Sequence, residues 1–177
     1  MTIHLRKIEP TDLPFLYLWE NETDVWKDGD THNPLSQQDL RNYIASTTGD
    51  IYQDGQLRLI IESETKDTLG CIDLYNLDIR NRKAGIGIYI AQHARKQGYG
   101  TLALQQLQEY AFTFLNLRTL YAFAHVQNTP CNQLFQSAHF QAVATLPYWT
   151  LEGNTTLWIK NNPDILQGPT KNYHQLC

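Results

Sequence analysis

The sequence predicts an α+β protein, within the broad α/β class. Its mixed, mostly antiparallel twisted sheet should have about seven strands flanked by about four helices. Two observations predict this. Apolar runs of strand type recur along the chain, and other segments place apolar residues at helical spacing. Their order, β-α-α-β-β-β-α-β-α-β-β, lacks the regular strand–helix alternation that a doubly wound parallel sheet requires.

The first half of the chain contributes three strands and two helices to this prediction. "IHLRKIEP" alternates apolar and polar residues and predicts the first strand. "TDLPFLYLWENE" predicts a helix that begins after Thr11 or Asp12, and "SQQDLRNYI" predicts another. In the second helix, Ser36 is followed three positions later by Asp39, which is close to a capping box. "LRLIIES" and "LGCIDLYNL" are strand-type runs separated by the turn-rich "ETKDT".

The second half alternates strands and helices before a closing pair of strands. "AGIGIYIA" predicts a strand, and apolar residues recur at helical spacing from about residue 99 to residue 115. "LRTLYAFAHV" predicts a further strand, and "TPCNQLFQSA" a short helix with Pro130 in its first turn. "FQAVATLPYW" and "TTLWIK" predict the closing pair. We therefore expect one domain over residues 1–160 and a polar C-terminal tail over residues 161–177.

Composition excludes several classes of protein. The 177 residues carry a formal net charge of -4, which disfavours general nucleic-acid binding. Three scattered cysteines, Cys71, Cys131 and Cys177, show no zinc-ligand spacing and suggest free thiols in a reducing cytosol. No apolar run approaches the roughly 20 residues of a membrane span. We expect a cytoplasmic protein without a membrane association or a nucleic-acid partner.

The segment "HARKQGYGTL" has the outline of an anion-binding loop. Arg95 and Lys96 precede Gly98 and Gly100, and a helical pattern begins at once. Glycines let backbone amides approach a ligand, and the helix N-terminus favours negative charge. A pyrophosphate would suit this arrangement. The alternative is a surface turn that uses glycine for its backbone geometry. The segment is neither a P-loop nor a dinucleotide fingerprint.

In its sequence context this loop resembles the acyl-CoA-binding motif of the GNAT superfamily of N-acyltransferases. That motif is a strand followed by Q/R-x-x-G-x-G/A at a helix start, and Arg95, Gly98 and Gly100 occupy its places. "NTPCNQLFQSAHF" resembles the next family segment through Asn128, Cys131, Leu134 and Phe140. Within the superfamily, the chain resembles the spermidine and the ribosomal-protein N-terminal acetyltransferases. The fold expected is therefore GNAT-like.

The resemblance implies that acetyl-CoA is the cosubstrate and that no metal is needed. It places acetyl-CoA in a gap between the strands at residues 84–91 and 120–126, with the pyrophosphate on residues 95–101. A backbone amide near Tyr89 would stabilise the oxyanion. Asn128 would either cap the short helix or bond to the pantetheine arm, and the two roles can coexist. The implied cofactor-binding residues are Ile88, Tyr89, Ile90, Arg95, Lys96, Gln97, Gly98, Tyr99, Gly100, Thr101, Asn128 and Phe135.

Three positions depart from the family pattern. Many relatives have a Glu where this chain has Gly85, a Tyr where it has Phe135, and a Gly where it has His139. A usual base and the usual acid are therefore both missing, although an amine must lose a proton before it attacks a thioester.

Other residues are candidates for these proton transfers. The catalytic candidates are Asp73, His125 and Tyr89, with Tyr75 and Tyr148 as further possible acids. For each the alternative is structural: Asp73 paired with a base such as Arg82, a hydrogen-bonded His125, and tyrosines that only pack.

The resemblance implies an amine acceptor. The segment "WENETDVWKDGD" would form part of an acidic, aromatic wall suited to a cationic amine, or else a solvated acidic loop. The residues concerned are Trp19, Glu20, Glu22, Asp24, Trp26, Asp28 and Asp30. Two functions stay open. The first is acetyl transfer to a primary amine of a protein N-terminus, a polyamine or another small amine. The second is a CoA-binding or interaction module with weakened chemistry. Either could be a homodimer.

Overall fold

Seven strands form a single sheet in the computed structural model, which describes residues 2–23, 33–150 and 153–164. The strand order is β1-β2-β3-β4-β5-β7-β6, and only β4 and β5 pair in parallel. This confirms the mixed, mostly antiparallel sheet. The strands are β1 (Ile3–Lys7), β2 (Leu57–Ser63), β3 (Thr68–Asp78), β4 (Lys83–Ile90), β5 (Thr119–His125), β6 (Gln141–Thr150) and β7 (Gly153–Asn161).

Five α-helices accompany the sheet in the described part of the chain, where the sequence predicted about four. They are α1 (Leu13–Glu20), α2 (Gln37–Ser46), α3 (Ile51–Asp54), α4 (Tyr99–Glu109) and α5 (Thr129–Ser137). The unpredicted one, α3, is a single turn that ends at Gly55 with a left-handed backbone. One turn is too short to show helical periodicity. A π-helical turn, Tyr110–Phe114, extends α4.

The capping box predicted at the start of α2 is present. The Ser36 hydroxyl accepts a hydrogen bond from the Asp39 amide at 3.1 Å. The Asp39 carboxylate in turn accepts one from the Ser36 amide at 2.9 Å. Two of the backbone donors that a helix start leaves unpaired are satisfied in this way, which fixes where α2 begins over the sheet.

The helices cover the two faces of the sheet unequally. Leu104 and Leu107 of α4 and Phe135 of α5 pack with Ile72 and Ile86 in the larger core, on one face. On the opposite face α1 and α2 cover β2 and β3 through a smaller cluster, which consists of Leu16, Trp19, Leu40, Ile60, Cys71 and Ala91. The sheet therefore separates α4, which follows the predicted cofactor loop, from α1 and α2 on the predicted acceptor side.

The parallel strands β4 and β5 separate along their length. Their pairing runs from Lys83 opposite Thr119 to Gly85 opposite Tyr121, and no later pair joins them. Both strands nevertheless continue, β4 to Ile90 and β5 to His125. Since paired strands lie about 4.8 Å apart, the end of pairing marks the point where a gap opens. We call this point, between Gly85 and Tyr121, the fork.

The last strand ends next to residue 160, where we predict the end of the domain. β7 ends at Asn161, and Asn162 is buried with its side chain donating to the carbonyls of Phe112 and Leu117. Most of the predicted tail, residues 165–177, lies outside the described residues. In the described part of the chain, no helix has the length and apolar character needed to cross a membrane.

Candidate active site

The basic glycine loop, residues 95–100, forms a turn that places the start of α4 near the gap between β4 and β5. Gly98 is the N-cap residue with φ +85°, and Lys96 also has a positive φ of 60°. In the part of the chain that the structure describes, no side chain caps this helix end. First-turn backbone N–H groups and the positive end of the helix dipole are therefore available to an anion. Arg95, Lys96 and Gln97 are exposed beside them.

The loop is tied to the end of β4. The Arg95 Nε donates to the Ile90 carbonyl at 2.9 Å. The side-chain Nε2 of Gln97 donates to the His93 carbonyl at 2.8 Å. A side chain added at Gly100 would meet Ile90 and Leu134 at 3.6 Å, so α4 begins close to both β4 and α5. The first turn of α4, with Tyr99 and Thr101, therefore lies directly beyond the open end of the gap.

The open half of β4 is accessible where the pantetheine arm is expected. Ala84 and Gly85 are buried, whereas Ile88, Tyr89 and Ile90 are only partly buried. Within the described residues no strand pairs with the β5-facing edge of this stretch. An extended amide chain can pair with such a free strand edge. The geometry is thus compatible with the predicted contacts, which stay predictions.

Tyr89 faces the helices rather than the gap. Its hydroxyl donates to Glu22 at 2.8 Å, and its ring lies 5.3 Å from the Trp19 ring. The Arg95 guanidinium carbon lies 5.7 Å from the Tyr89 ring centroid. Burial, followed by the bond to Glu22, raises the pKa of Tyr89 well above its ordinary value. The proton of Tyr89 is therefore held on its oxygen at neutral pH.

Asp73 is bound by a guanidinium from the neighbouring strand. Arg58 donates from Nε at 2.9 Å and from Nη2 at 2.7 Å, one bond to each Asp73 oxygen. The third arm of Arg58 bonds to Glu20 of α1. The structural alternative, an Asp73 paired with a base such as Arg82, is therefore present with Arg58 as the base, whereas Arg82 donates to the Asn116 carbonyl. Nearby carboxylates keep the pKa of Arg58 well above its ordinary value despite burial.

His125 lies at the far end of β5. Its Nδ1 accepts a hydrogen bond from the Gln127 amide at 3.3 Å, which makes it part of the turn that follows the strand. The fork is four residues away at Tyr121, about 13 Å along an extended strand. His125 is therefore remote from the fork, although it borders the wide end of the gap.

Two residues of the second motif have structural roles at α5. Asn128 caps the helix, since its side-chain oxygen accepts from the Cys131 amide at 3.2 Å. This is one of the two predicted roles of Asn128. Phe135 is 1% exposed and packs against Phe140 and Trp158 at ring-centroid distances of 5.2 and 6.4 Å. Phe135 therefore supports α5 from within the core, and a cofactor contact by this ring stays a prediction.

The structure explains why position 85 is glycine. A Cβ built on Gly85 would lie 2.4 Å from two ring carbons of Tyr75, closer than atoms can approach. The Tyr75 ring thus occupies the space where the Glu of many relatives would project. From the sequence, Tyr75 is only one possible acid, because its position over Gly85 depends on the β3–β4 register.

His139 adopts the backbone that glycine favours. Its φ is 62°, and its amide donates to the Gln136 carbonyl at 3.0 Å just after α5 ends. A glycine there would adopt this conformation without steric cost. The replacement of the family's usual glycine is therefore a matter of backbone strain rather than of chemistry at the gap.

Part of the predicted acceptor wall is described. Trp19, Glu20 and Glu22 lie on the sheet face that also carries Asp73 and Tyr89, and they contact Arg58 or Tyr89. Asp24, Trp26, Asp28 and Asp30 lie outside the described residues. Among the residues that the structure describes, no three His, Cys, Asp or Glu side chains are grouped to hold a metal ion.

Comparison with known proteins agrees with this geometry. The family model "Acetyltransferase (GNAT) domain" matches residues 2–141. The chain is 29% identical over 139 residues to an uncharacterized N-acetyltransferase p20 of Bacillus licheniformis, which covers 77% of this chain and 78% of that protein. It is 44% identical over 117 residues to the putative ribosomal N-acetyltransferase YdaF of Bacillus subtilis, which covers 64% of this chain and 56% of that protein.

Solved structures share the same fold. A spermidine N-acetyltransferase from Vibrio cholerae, in complex with CoA and spermine, matches with a TM-score of 0.84 at 20% identity. The match covers 93% of this chain and 98% of that one. Sheet, fork, glycine loop and family match together define the class of protein. The chain belongs to the GNAT family and is an acetyltransferase of that family.

Proposed function

We propose that this protein transfers the acetyl group of acetyl-CoA to a primary amine, by direct attack within a ternary complex. The observation that carries the proposal is the fork, which opens toward the uncapped start of α4 and its basic loop. A thioester donor bound with its pyrophosphate on residues 95–101 could extend along residues 86–90. Its reactive end would then point toward the fork.

The charge on the acceptor face favours a cationic amine. Glu20, Glu22 and Asp73 place three carboxylates on the face opposite α4. Among the described residues, the guanidinium of Arg58, which Glu20 and Asp73 share, and the exposed Arg95 lie against them. The rings of Trp19 and Tyr89 lie among them. Carboxylates and ring faces attract ammonium groups. Polyamines, protein N-termini and other small amines carry such a group.

The names of the relatives fit this acceptor class. Similar proteins are a spermidine N(1)-acetyltransferase of Vibrio cholerae, 24% identical over 139 residues, and the putative ribosomal enzyme. These names support an amine or a peptide N-terminus as acceptor and do not choose between them. The same proposal includes a cytoplasmic location and a homodimer.

Cofactor binding is tested through the loop. Gly98→Asp puts a carboxylate beside the site proposed for the pyrophosphate and should abolish the rise in melting temperature that CoA gives the parent protein. Gly55→Asp is a matched control, because Gly55 has a similar φ of 69° and both glycines have open space around them. The control should be stabilised by CoA like the parent. Equal stabilisation of the two variants would overturn the loop assignment.

A further inference from the structure

A pocket of about 460 Å³ lies between the end of β1, the end of α2 and the start of β2. Small-molecule sites have volumes of about 300–1,000 Å³, so its size is sufficient for a ligand. Its apolar walls include Ile8, Leu13, Ile44 and Leu57. None of the described residues that line it belongs to the fork or to the loop at residues 95–101. The pocket is therefore separate from the proposed site of acetyl transfer.

The charged side chains of this pocket are all cationic. The described residues that line it include Lys7, Arg41 and Arg58 and no carboxylate. The whole chain carries a formal net charge of -4, so this wall departs from the balance of the protein. A concave surface with charges of one sign concentrates small ions of the opposite sign. The pocket therefore suits an anion.

Two of the three cations have no counter-charge within the described residues. Arg58 is balanced by its bonds to Asp73 and Glu20. No ion pair in the described part of the chain involves Lys7 or Arg41. The bond that Arg41 makes there is to the neutral side chain of Gln37. The charges of Lys7 and Arg41 are thus the ones that a ligand can neutralise.

The side chain of Lys7 lies along Gly49. A Cβ built on Gly49 would be 2.7 Å from the Lys7 Nζ and 2.9 Å from its Cδ and Cε, so the lysine fills the space that the glycine leaves. Asp54 fixes this loop by accepting from the Gly49 amide at 3.1 Å and from the Thr48 hydroxyl at 2.9 Å. The Lys7 ammonium therefore lies against a preformed loop at the wall of the pocket.

We propose that this pocket is a second ligand site, for a small organic anion that carries an apolar chain. The chain of the ligand lies against the apolar walls. Its carboxylate or phosphate group accepts hydrogen bonds from Lys7 and Arg41, and such charge-assisted bonds are stronger than neutral ones. The proposal goes beyond acetyl transfer and does not depend on it.

Arg58 stands between this site and the acceptor face. It lines the pocket, and it also binds Asp73, which lies opposite Gly87 of β4. Since neighbouring strands are about 4.8 Å apart, the backbones of Arg58 on β2 and Gly87 on β4 are separated by about 10 Å. A ligand of the pocket is therefore not positioned to receive an acetyl group at the fork.

Calorimetric titration of the chain at constant ionic strength tests the site. Hexanoate and hexyl phosphate share the apolar chain and differ in the anionic group, whereas hexylammonium has the opposite charge and acetate lacks the chain. We expect at least one of the two six-carbon anions to bind at one site per chain, about tenfold more tightly than hexylammonium or acetate. The anion that binds more tightly identifies the head group. Equal binding of hexylammonium, or no saturable binding of either anion, overturns the proposal.

Substitutions locate the bound anion. Lys7→Met and Arg41→Met each remove one cation, and we expect each to weaken binding about tenfold, as for loss of one hydrogen bond to a charged group. Ala45→Phe keeps both charges but fills the pocket that Ala45 lines, and it should abolish binding. Lys66→Met is the control, because Lys66 is exposed on the turn between β2 and β3 and does not line the pocket. Melting temperatures close to that of the parent show that the variants are folded.

Acetyl-CoA separates this site from the glycine loop, which is also expected to hold an anion. Saturating acetyl-CoA should leave the affinity for the six-carbon anion unchanged. Competition between them would assign the anion to residues 95–101 and overturn the proposal. Equal affinities of Lys7→Met and Lys66→Met, or full binding by Ala45→Phe, would overturn it as well. None of these outcomes bears on acetyl transfer to an amine.

Discussion

Arg58 links β3 to α1 on the predicted acceptor face. It donates two hydrogen bonds to Asp73 of β3 and a third to Glu20 of α1. Its position opposite Asp73 follows from the β2–β3 register. The three side chains are only 16–22% exposed. The position of α1, and with it the start of the acceptor segment, therefore depends on one guanidinium.

Replacing Arg58 should destabilise the protein. Arg58→Met leaves two largely buried carboxylates without a counter-charge, and we expect a loss of about 3–5 kcal/mol in the free energy of unfolding at pH 7. Urea unfolding at pH 7 measures the loss.

The control for this variant is Arg41→Met. Arg41 is exposed on α2 and, among the described residues, bonds to the side chain of Gln37 at 3.2 Å. We expect less than about 0.5 kcal/mol of change, as for other exposed pairs. Equal losses for Arg41→Met and Arg58→Met would show that the Arg58 cluster adds no stability.

Tyr89 should act by packing and positioning rather than as the catalytic acid, because its hydroxyl donates to Glu22. Because its pKa is raised, folding favours the protonated phenol, and stability is fully present below the unfolded pKa of about 10. Stability is then lost as pH rises above that value. Tyr89→Phe should lose less stability than the parent between pH 9.5 and pH 11, as measured by urea unfolding. Its pH–rate profile between pH 6 and pH 9 should keep the parent shape.

If the pH–rate profile of Tyr89→Phe differs in shape from that of the parent between pH 6 and pH 9, Tyr89 has a proton-transfer role. Tyr52→Phe serves as the control, since Tyr52 is 52% exposed on α3.

Two substitutions of Asn128 distinguish its two predicted roles, which are capping α5 and bonding to the pantetheine arm. Asn128→Asp keeps an oxygen that can cap α5 through the Cys131 amide but removes the side-chain N–H donors. Asn128→Ala removes both and should cost about 1 kcal/mol of stability. If the amide also binds the pantetheine arm, KM for acetyl-CoA rises in both variants while stability falls only in Asn128→Ala. An unchanged KM in Asn128→Asp would leave Asn128 with the capping role alone.

His139→Gly should stabilise the protein. A side chain in the left-handed region costs about 1–2 kcal/mol, and glycine loses part of that gain through its freer unfolded chain. We expect a net gain of about 0.5–1 kcal/mol in thermal or urea unfolding, with kcat unchanged. His139→Ala keeps a Cβ at the same φ of 62° and should not stabilise. A stabilising His139→Ala would mean that the imidazole itself, not the backbone, is unfavourable.

His125→Ala tests the remaining candidate base. Because His125 is bonded to the Gln127 amide and lies far from the fork, we expect the acidic limb of the pH–rate profile to survive the substitution. A flattened limb would assign the proton-accepting role to His125.

Much of this site could be predicted from the sequence because its signals are local. Arg95, Gly98 and the following helical pattern lie within a few residues, and so do Ser36 and Asp39 of the capping box. The partner of Asp73 and the contact between Tyr75 and Gly85 depend on strand register and on a bulge at Asn76. These relations join residues 10–15 positions apart, and no local pattern predicts them. The turn α3 was missed because it is one turn long.

The central claim is that the fork is a site of acetyl transfer to an amine. Release of CoA thiol from acetyl-CoA, measured with a panel of polyamines, basic peptides with free N-termini and small amines, tests it most directly. We expect acceptor-dependent thiol release with at least one cationic amine, and its loss in Gly98→Asp but not in Gly55→Asp. Clear CoA binding without thiol release for any acceptor would contradict the claim and leave a CoA-binding module.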